Sequence, residues 1–200
     1  MATTIMNFKL LVLAVILLPL SCTEKYTPKP RGFFRISFPE KIYHPLDNRF
    51  PYQFEIPQYS QVTSDTQNPD QPWWINIEVP GNKAEVHISY YNLNKQKKAA
   101  RELLAAFMEE SRDLAYKHSI KANAIEEQIF VNPGQEVFGT VYRIEGNAAS
   151  PVQFFLTDST HHFLRGALYI RATPDIDSLK PVIDFLERDV IRLIETTKWE

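Results

Sequence analysis

The chain has 200 residues, with 22 Lys and Arg set against 24 Asp and Glu and a formal net charge of −2. That near-neutral balance lacks the strongly basic face that marks a nucleic-acid binder, so no nucleic-acid partner is expected. At 44% hydrophobic residues, with 13 Phe and 9 Tyr, there is material for a core, and the single cysteine excludes an internal disulfide.

Residues 10–20 read LLVLAVILLPL, behind Lys9 and ahead of Ser21-Cys22. The run is shorter than the roughly 20 residues that cross a hydrocarbon core. Its charged front, apolar middle and small-residue end have the three-part form of a secretory signal. Residues 1–21 are therefore read as a signal peptide and Cys22 as the lipid acceptor of a bacterial lipoprotein, although Pro19 stands three before the cysteine where leucine is usual. The plainer alternatives are an ordinary signal with an incidental cysteine and an uncleaved hydrophobic amino terminus. Each buried methylene contributes about 0.8 kcal/mol and one fatty chain holds only marginally, so three chains on Cys22 would anchor permanently. A lipid on Cys22 leaves no thiol for catalysis or metal binding. Residues 22–32, with Pro28 and Pro30, read as an extended tether, and residues 33–200 as a single globular domain facing the periplasm.

Phe33–Phe38 reads as a first strand, followed by a region spaced by Pro39, Pro45, Pro51 and Pro57 that allows Tyr52–Ile56 as a short edge strand. Ser60–Pro72 reads as a polar loop. Strict alternation in Trp73–Val79 and Ala84–Tyr90, joined by Pro80-Gly81-Asn82, predicts a hairpin with one wet face. From Asn94 to Lys117 the period turns helical, with Ala100, Leu103, Leu104, Phe107, Met108 and Leu114 on one stripe. A weaker strand, Ile120–Val131, stops at Asn132-Pro133-Gly134. Val137–Ile144, Val152–Thr157 and His162–Ala172 are the remaining strands, and a capped amphipathic helix begins near Asp177 or Ser178. The hairpin-length links predict an α+β fold: a mainly antiparallel sheet with two long amphipathic helices packed on it.

Asp158-Ser159-Thr160-His161-His162 holds the letters of a hydrolase triad, but all within five residues between two strands, where a turn is the expected use. Neighbouring histidines on a strand point to opposite faces, His44, His87 and His118 are scattered, and no metal or cofactor site is expected. Lys95, Lys97 and Lys98 crowd a helix start, the end that disfavours cations; a solvated helix end is the simple reading and attraction to anionic lipid or protein the other. Arg165 lies in an otherwise apolar strand, beside Phe163, Ala167, Tyr169 and Arg171, and is expected to pair with Glu145 or Asp158 or to offer a docking surface. Glu145, Asn147, Asp158 and Arg165 are thus the candidate interaction or ion-pair residues. Trp73-Trp74 should place one ring on each sheet face. No catalytic residue is identified.

Several segments together carry a resemblance: Cys22 with Tyr26–Gly32, Trp74–Ile77, Ser111–His118, Ile144–Tyr169, and the last helix from Asp177 through Phe185 to Glu195 and Trp199. The chain resembles the gliding-motility lipoprotein GldD family of the Bacteroidota. That resemblance implies an envelope lipoprotein needed for movement over surfaces, in or beside the gliding and type 9 secretion apparatus, with Cys22 at the lipid-acceptor position and no catalytic residue to carry over. The order of strands and helices also looks like the PsbP or Mog1 type of α/β/α sandwich.

The function expected is a non-enzymatic accessory or assembly protein of that machinery, anchored in the inner or outer membrane by its lipid, partnered by other envelope proteins, with no small-molecule substrate identified. The alternatives are a lipid-anchored envelope enzyme using His161, Asp158 or Arg165, and a glycan-binding protein.

Overall fold

A computed structural model describes residues 36–95, 100–117, 122–173 and 175–200. The signal segment, Cys22, the tether, Lys97, Lys98 and His118 lie outside the described residues. In chain order the elements are β1 (Tyr43–Pro45), β2 (Tyr52–Gln53), β3 (Glu55–Pro57), β4 (Gln61–Ser64), β5 (Ile75–Val79), β6 (Ala84–Asn92), α1 (Ala100–Tyr116), β7 (Ala122–Asn132), β8 (Val137–Gly146), β9 (Val152–Thr157), β10 (His162–Ile170), α2 (Ile176–Thr196) and β11 (Lys198–Trp199).

Seven strands make one antiparallel sheet in the order β4-β5-β6-β10-β9-β8-β7, and two small ribbons pair β1 with β3 and β2 with β11. The fold is α+β, with one helix on each sheet face. Alternation explains the first face: Ile75, Ile77 and Val79 meet Val86 and Ile88 in register, and with Phe154, Leu156, Leu164 and Leu168 they pack against Phe185, Leu186, Val190 and Leu193 of α2. Gly166 is required here, because a Cβ would sit 2.1 Å from the Phe154 ring. On the second face Tyr142, Ile144, Phe155 and Phe163 close over Leu103 and Ala115 of α1.

Two hairpins turn by the same device. Pro80–Asn82 and Pro133–Gln135 each form one 3-10 turn, closed by a left-handed residue, Lys83 at φ 50° and Glu136 at φ 53°.

Several expectations are corrected. Ile36–Phe38 is not strand; instead the Phe38 ring stacks on Phe185 of α2 at 4.3 Å. The edge strand at Tyr52–Ile56 breaks at Phe54 into β2 and β3, which join different ribbons. The polar loop Ser60–Pro72 contains β4, whose backbone bonds β5 although only Val62 in it is apolar. On α1 the buried positions are Leu103, Ser111 and Ala115, whereas Met108 faces solvent. Asp175 rather than Asp177 or Ser178 stands at the N-cap position of α2, where its backbone carbonyl accepts the Ser178 and Leu179 N–H groups while its side chain caps none, and the Ile176 N–H donates to Asn147 Oδ1 at 2.9 Å. Asn147 therefore fastens the β8–β9 link to the helix and satisfies one of its orphan donors.

Candidate functional site

Helix α1 covers the second face over β8, β9 and the start of β10 and reaches Tyr91 at the end of β6 and Glu127 of β7, so the part over β5, the rest of β6 and the end of β10 stays open. In-register residues form rows across it. Thr63, Asn76, His87, Ala167 and Gln153 make one row. Glu78, Glu85 and Tyr169 make the next, and Ser89 and Arg165 a third. Two concavities of about 560 and 430 Å³ share His87 and Ser89 in their lining, one beside the loop after β4 and the other beside the end of α1, and together they are the trough of this face.

Glu85 and Arg171 pair with one another on its wall, and Asp65, Glu78 and Lys117 also line it. Arg171 binds Glu85 through both Nε and Nη2, holding that carboxyl below the usual carboxylate range, and His87 Nε2 lies 3.2 Å from the same group. The His87 and Tyr169 rings are 4.9 Å apart between centroids. Trp74 sits on this face against Tyr91, with its indole N–H donating to the Tyr90 carbonyl, while Trp73 packs edge-on to Phe50 on the other.

Arg165 pairs with neither Glu145 nor Asp158. Its guanidinium reaches across to Glu110 of α1 at 3.3 Å and to the Tyr91 hydroxyl at 3.4 Å, so it ties the helix to the sheet. Glu145 is exposed on β8 opposite Ala124. Asp158 caps its own turn: Oδ1 accepts the N–H groups of Thr160, His161 and His162 at 2.8–2.9 Å. Burial alone would raise its pKa, but these donors outweigh burial and lower it. Ser159 occupies the left-handed region at φ 69°, and Thr160 rather than Ser159 bonds the carboxylate and His161. The letters of a triad make a turn.

A cluster absent from the sequence reading lies on the α2 side. Asp189, buried in the apolar stripe of the helix, receives Lys41 Nζ at 2.6 Å, the Tyr43 hydroxyl at 2.7 Å and the Tyr59 hydroxyl at 2.5 Å. Lys41 also donates to the Phe185 carbonyl and lies 3.7 Å from the centre of the Phe185 ring. Burial lowers the Lys41 pKa against the pull of Asp189, and burial together with the carboxylate pushes both phenols up. A carboxylate at an inward position between Leu186 and Leu193 was the available signal, since such a group demands partners.

At the sheet margin, β7 is an edge strand of 11 residues. Ile129 is 76% exposed and Val131 57% exposed. Both point to the second face, opposite Thr140 and Phe138 of β8, beyond the reach of α1.

The geometry defines an antiparallel α+β domain with an open strand-built trough and, among the described residues, an edge strand with no partner on its outer side. The family model of the gliding motility lipoprotein GldD matches residues 23–199, and the chain belongs to that family. It is a gliding-motility lipoprotein of the cell envelope. No curated protein matches it. Among solved structures it is similar to cyanobacterial PsbP (CyanoP) from Synechocystis sp. PCC 6803, at 12% identity and a TM-score of 0.42, over 91% of this chain and 99% of that one.

Proposed function

We propose that the protein is an accessory component of the gliding and type 9 secretion apparatus, anchored by lipid on Cys22, with its domain in the periplasm, and acting by protein contact without catalysis. The observation that carries this reading is the β7 edge. Most edge strands are shielded by charge, proline, bulges or a covering element. In β7 charge and irregularity lie in the first half, at Glu126-Glu127 and between Ala122 and Ala124, whereas in the second half no described strand pairs the outer edge and two large aliphatic side chains stand exposed, the combination that supports an added partner.

The test is in-cell photocrosslinking from position 129 or 131 of the functional lipoprotein, with recovered proteins identified by mass spectrometry. Recovery of envelope components of the motility or secretion machinery, lost in a Val131→Lys background together with gliding, supports the reading. Normal gliding of a folded Ile129→Lys/Val131→Lys variant overturns it.

A further inference from the structure

Lys41, Tyr43, Tyr59 and Asp189 are a set of polar groups held against an apolar wall. The Asp189 side chain is 8% exposed and that of Lys41 20%. Phe38 and Tyr59 both stack on the Phe185 ring, and Lys41 Nζ lies 3.7 Å from its centre. The hydrogen bonds have an ordered direction. Nζ donates to the Tyr59 hydroxyl oxygen at 3.2 Å, and that hydroxyl donates to Asp189 Oδ2 at 2.5 Å. Nζ also stands 2.6 Å from Oδ1, which accepts the Tyr43 hydroxyl at 2.7 Å. A simple ion pair accounts for the contact at Oδ1. It does not call for a second path, from the amine through a phenol to the other oxygen. Burial lowers the pKa of Lys41, bringing the neutral amine within reach, and burial with the carboxylate keeps both phenols in the donating form.

We propose that Lys41 and Asp189 join covalently in the folded domain, as a side-chain amide formed by the protein on itself. One ammonium proton passes through the Tyr59 hydroxyl to Oδ2, leaving a neutral amine beside a protonated carboxyl group. The Nζ lone pair forms the bond to Cγ while the Tyr43 O–H stabilises the charge that develops on Oδ1. A second proton follows from Nζ through Tyr59, the Cγ–Oδ2 bond breaks, and Oδ2 leaves with the bonding pair as water. Ammonium and carboxylate thus become one amide N–H, one carbonyl and one water; nothing is oxidised or reduced and no co-reactant enters. Free amines and carboxylates in water do not condense, but well-oriented groups react with effective molarities of about 10⁵ M or more. A void of about 20 Å³ beside Asp189, among Leu186, Val190 and Leu193, has room for the water released. The bond closes 148 residues of chain into a ring that contains all seven strands of the large sheet. Such a cross-link restricts the unfolded chain as a disulfide does, in a protein whose single cysteine excludes one. It forms once per molecule and away from the β7 edge, so it stands or falls apart from the protein-contact reading.

The experiment is peptide mass spectrometry on the full-length chain, kept folded in detergent, then denatured and cut with trypsin. Trypsin does not cut after an acylated lysine, so the expected product is a branched species joining residues 36–49 to residues 189–192. Its mass should be that of the two peptides less one water, and it should be the main form of the wild-type chain. Lys41→Arg keeps a cation but removes the amine, and should abolish the species. Tyr59→Phe keeps the ring and breaks the proton path; in a time course after synthesis it should link at least about tenfold more slowly. A folded wild-type chain that yields residues 36–41, 42–49 and 189–192 as separate peptides overturns the proposal, as does linkage at wild-type speed in a folded Tyr59→Phe variant. Should Tyr59→Phe not fold, the wild-type digest alone decides.

Discussion

Lys41 Nζ and Asp189 Oδ1 meet at 2.6 Å across 148 residues of chain, on the buried flank of α2. The pair joins the segment before β1 to the last helix, and the Tyr43 and Tyr59 hydroxyls complete the carboxylate's coordination. Removing one partner leaves the other charged in a poorly solvated place, so Lys41→Met should destabilise the domain by about 2–3 kcal/mol. Lys41→Met/Asp189→Leu should cost clearly less than the two single changes together. Denaturant unfolding of the four proteins measures the coupling; strictly additive values would refute it.

The Arg165–Glu110 pair is different in kind, since the glutamate is 53% exposed. Exposed pairs contribute about 0.2–1 kcal/mol. Arg165→Ala should therefore lower stability by roughly that amount, and Glu110→Ala should add little on top of it. A double-mutant cycle on melting temperature reads this directly. Loss of gliding by Arg165→Ala at near-native stability would show that the guanidinium touches a partner.

In the Asp158 turn, the carboxylate supports three backbone donors, so Asp158→Ala should destabilise by about 1–2 kcal/mol. Because the folded pKa is lowered, this support is present above pH 3.8 and is lost as pH falls through the folded value. Ser159→Ala and His161→Ala should leave gliding intact. A folded variant of either kind that does not glide would argue for chemistry at this turn.

His162 stacks on Trp199 at 5.1 Å between centroids, with Nδ1 2.8 Å from the Tyr90 hydroxyl. Burial lowers its pKa from 6.5, helped by His161 and opposed by Asp158. The unfolded chain thus takes up this proton first, so the contribution is full above pH 6.5 and falls as pH drops towards the folded value. Melting temperature measured from pH 7.5 to pH 5 should decline, and His162→Gln should flatten that decline. An unchanged slope would place the proton uptake elsewhere.

Much of the sheet is legible in the sequence because its strands have one dry face. Ile75, Ile77 and Val79 against Val86 and Ile88 fix both the period and the register of a hairpin. β4 is hidden because an edge strand is held by backbone bonds from one side, and Gln61, Thr63 and Ser64 need bury nothing. The partner of Arg165 is hidden for another reason: Glu110 lies 55 residues away on a helix whose rotation depends on which residues of α1 turn inward. Periodicity fixes the apolar stripe only to within a residue or two, which is how Met108 is misplaced and Ser111 overlooked. Asp189 is the instructive miss. An acid among Phe185, Leu186, Val190 and Leu193 is a visible anomaly, but its cation comes from a proline-spaced segment that no local pattern connects to it.

The Asp189 cluster also fixes where strain enters the domain. Among the described residues, Phe38, Lys41 and Tyr43 come first along the chain to grip a distant element, and each of them holds α2. Tension arriving from the N-terminal side is thus taken up by a ring stack, an ion pair and a phenol hydrogen bond before it reaches any strand of the seven-stranded sheet. The helix works as a cleat: a pull too weak to free Lys41 and the phenols leaves the trough and the β7 edge undistorted.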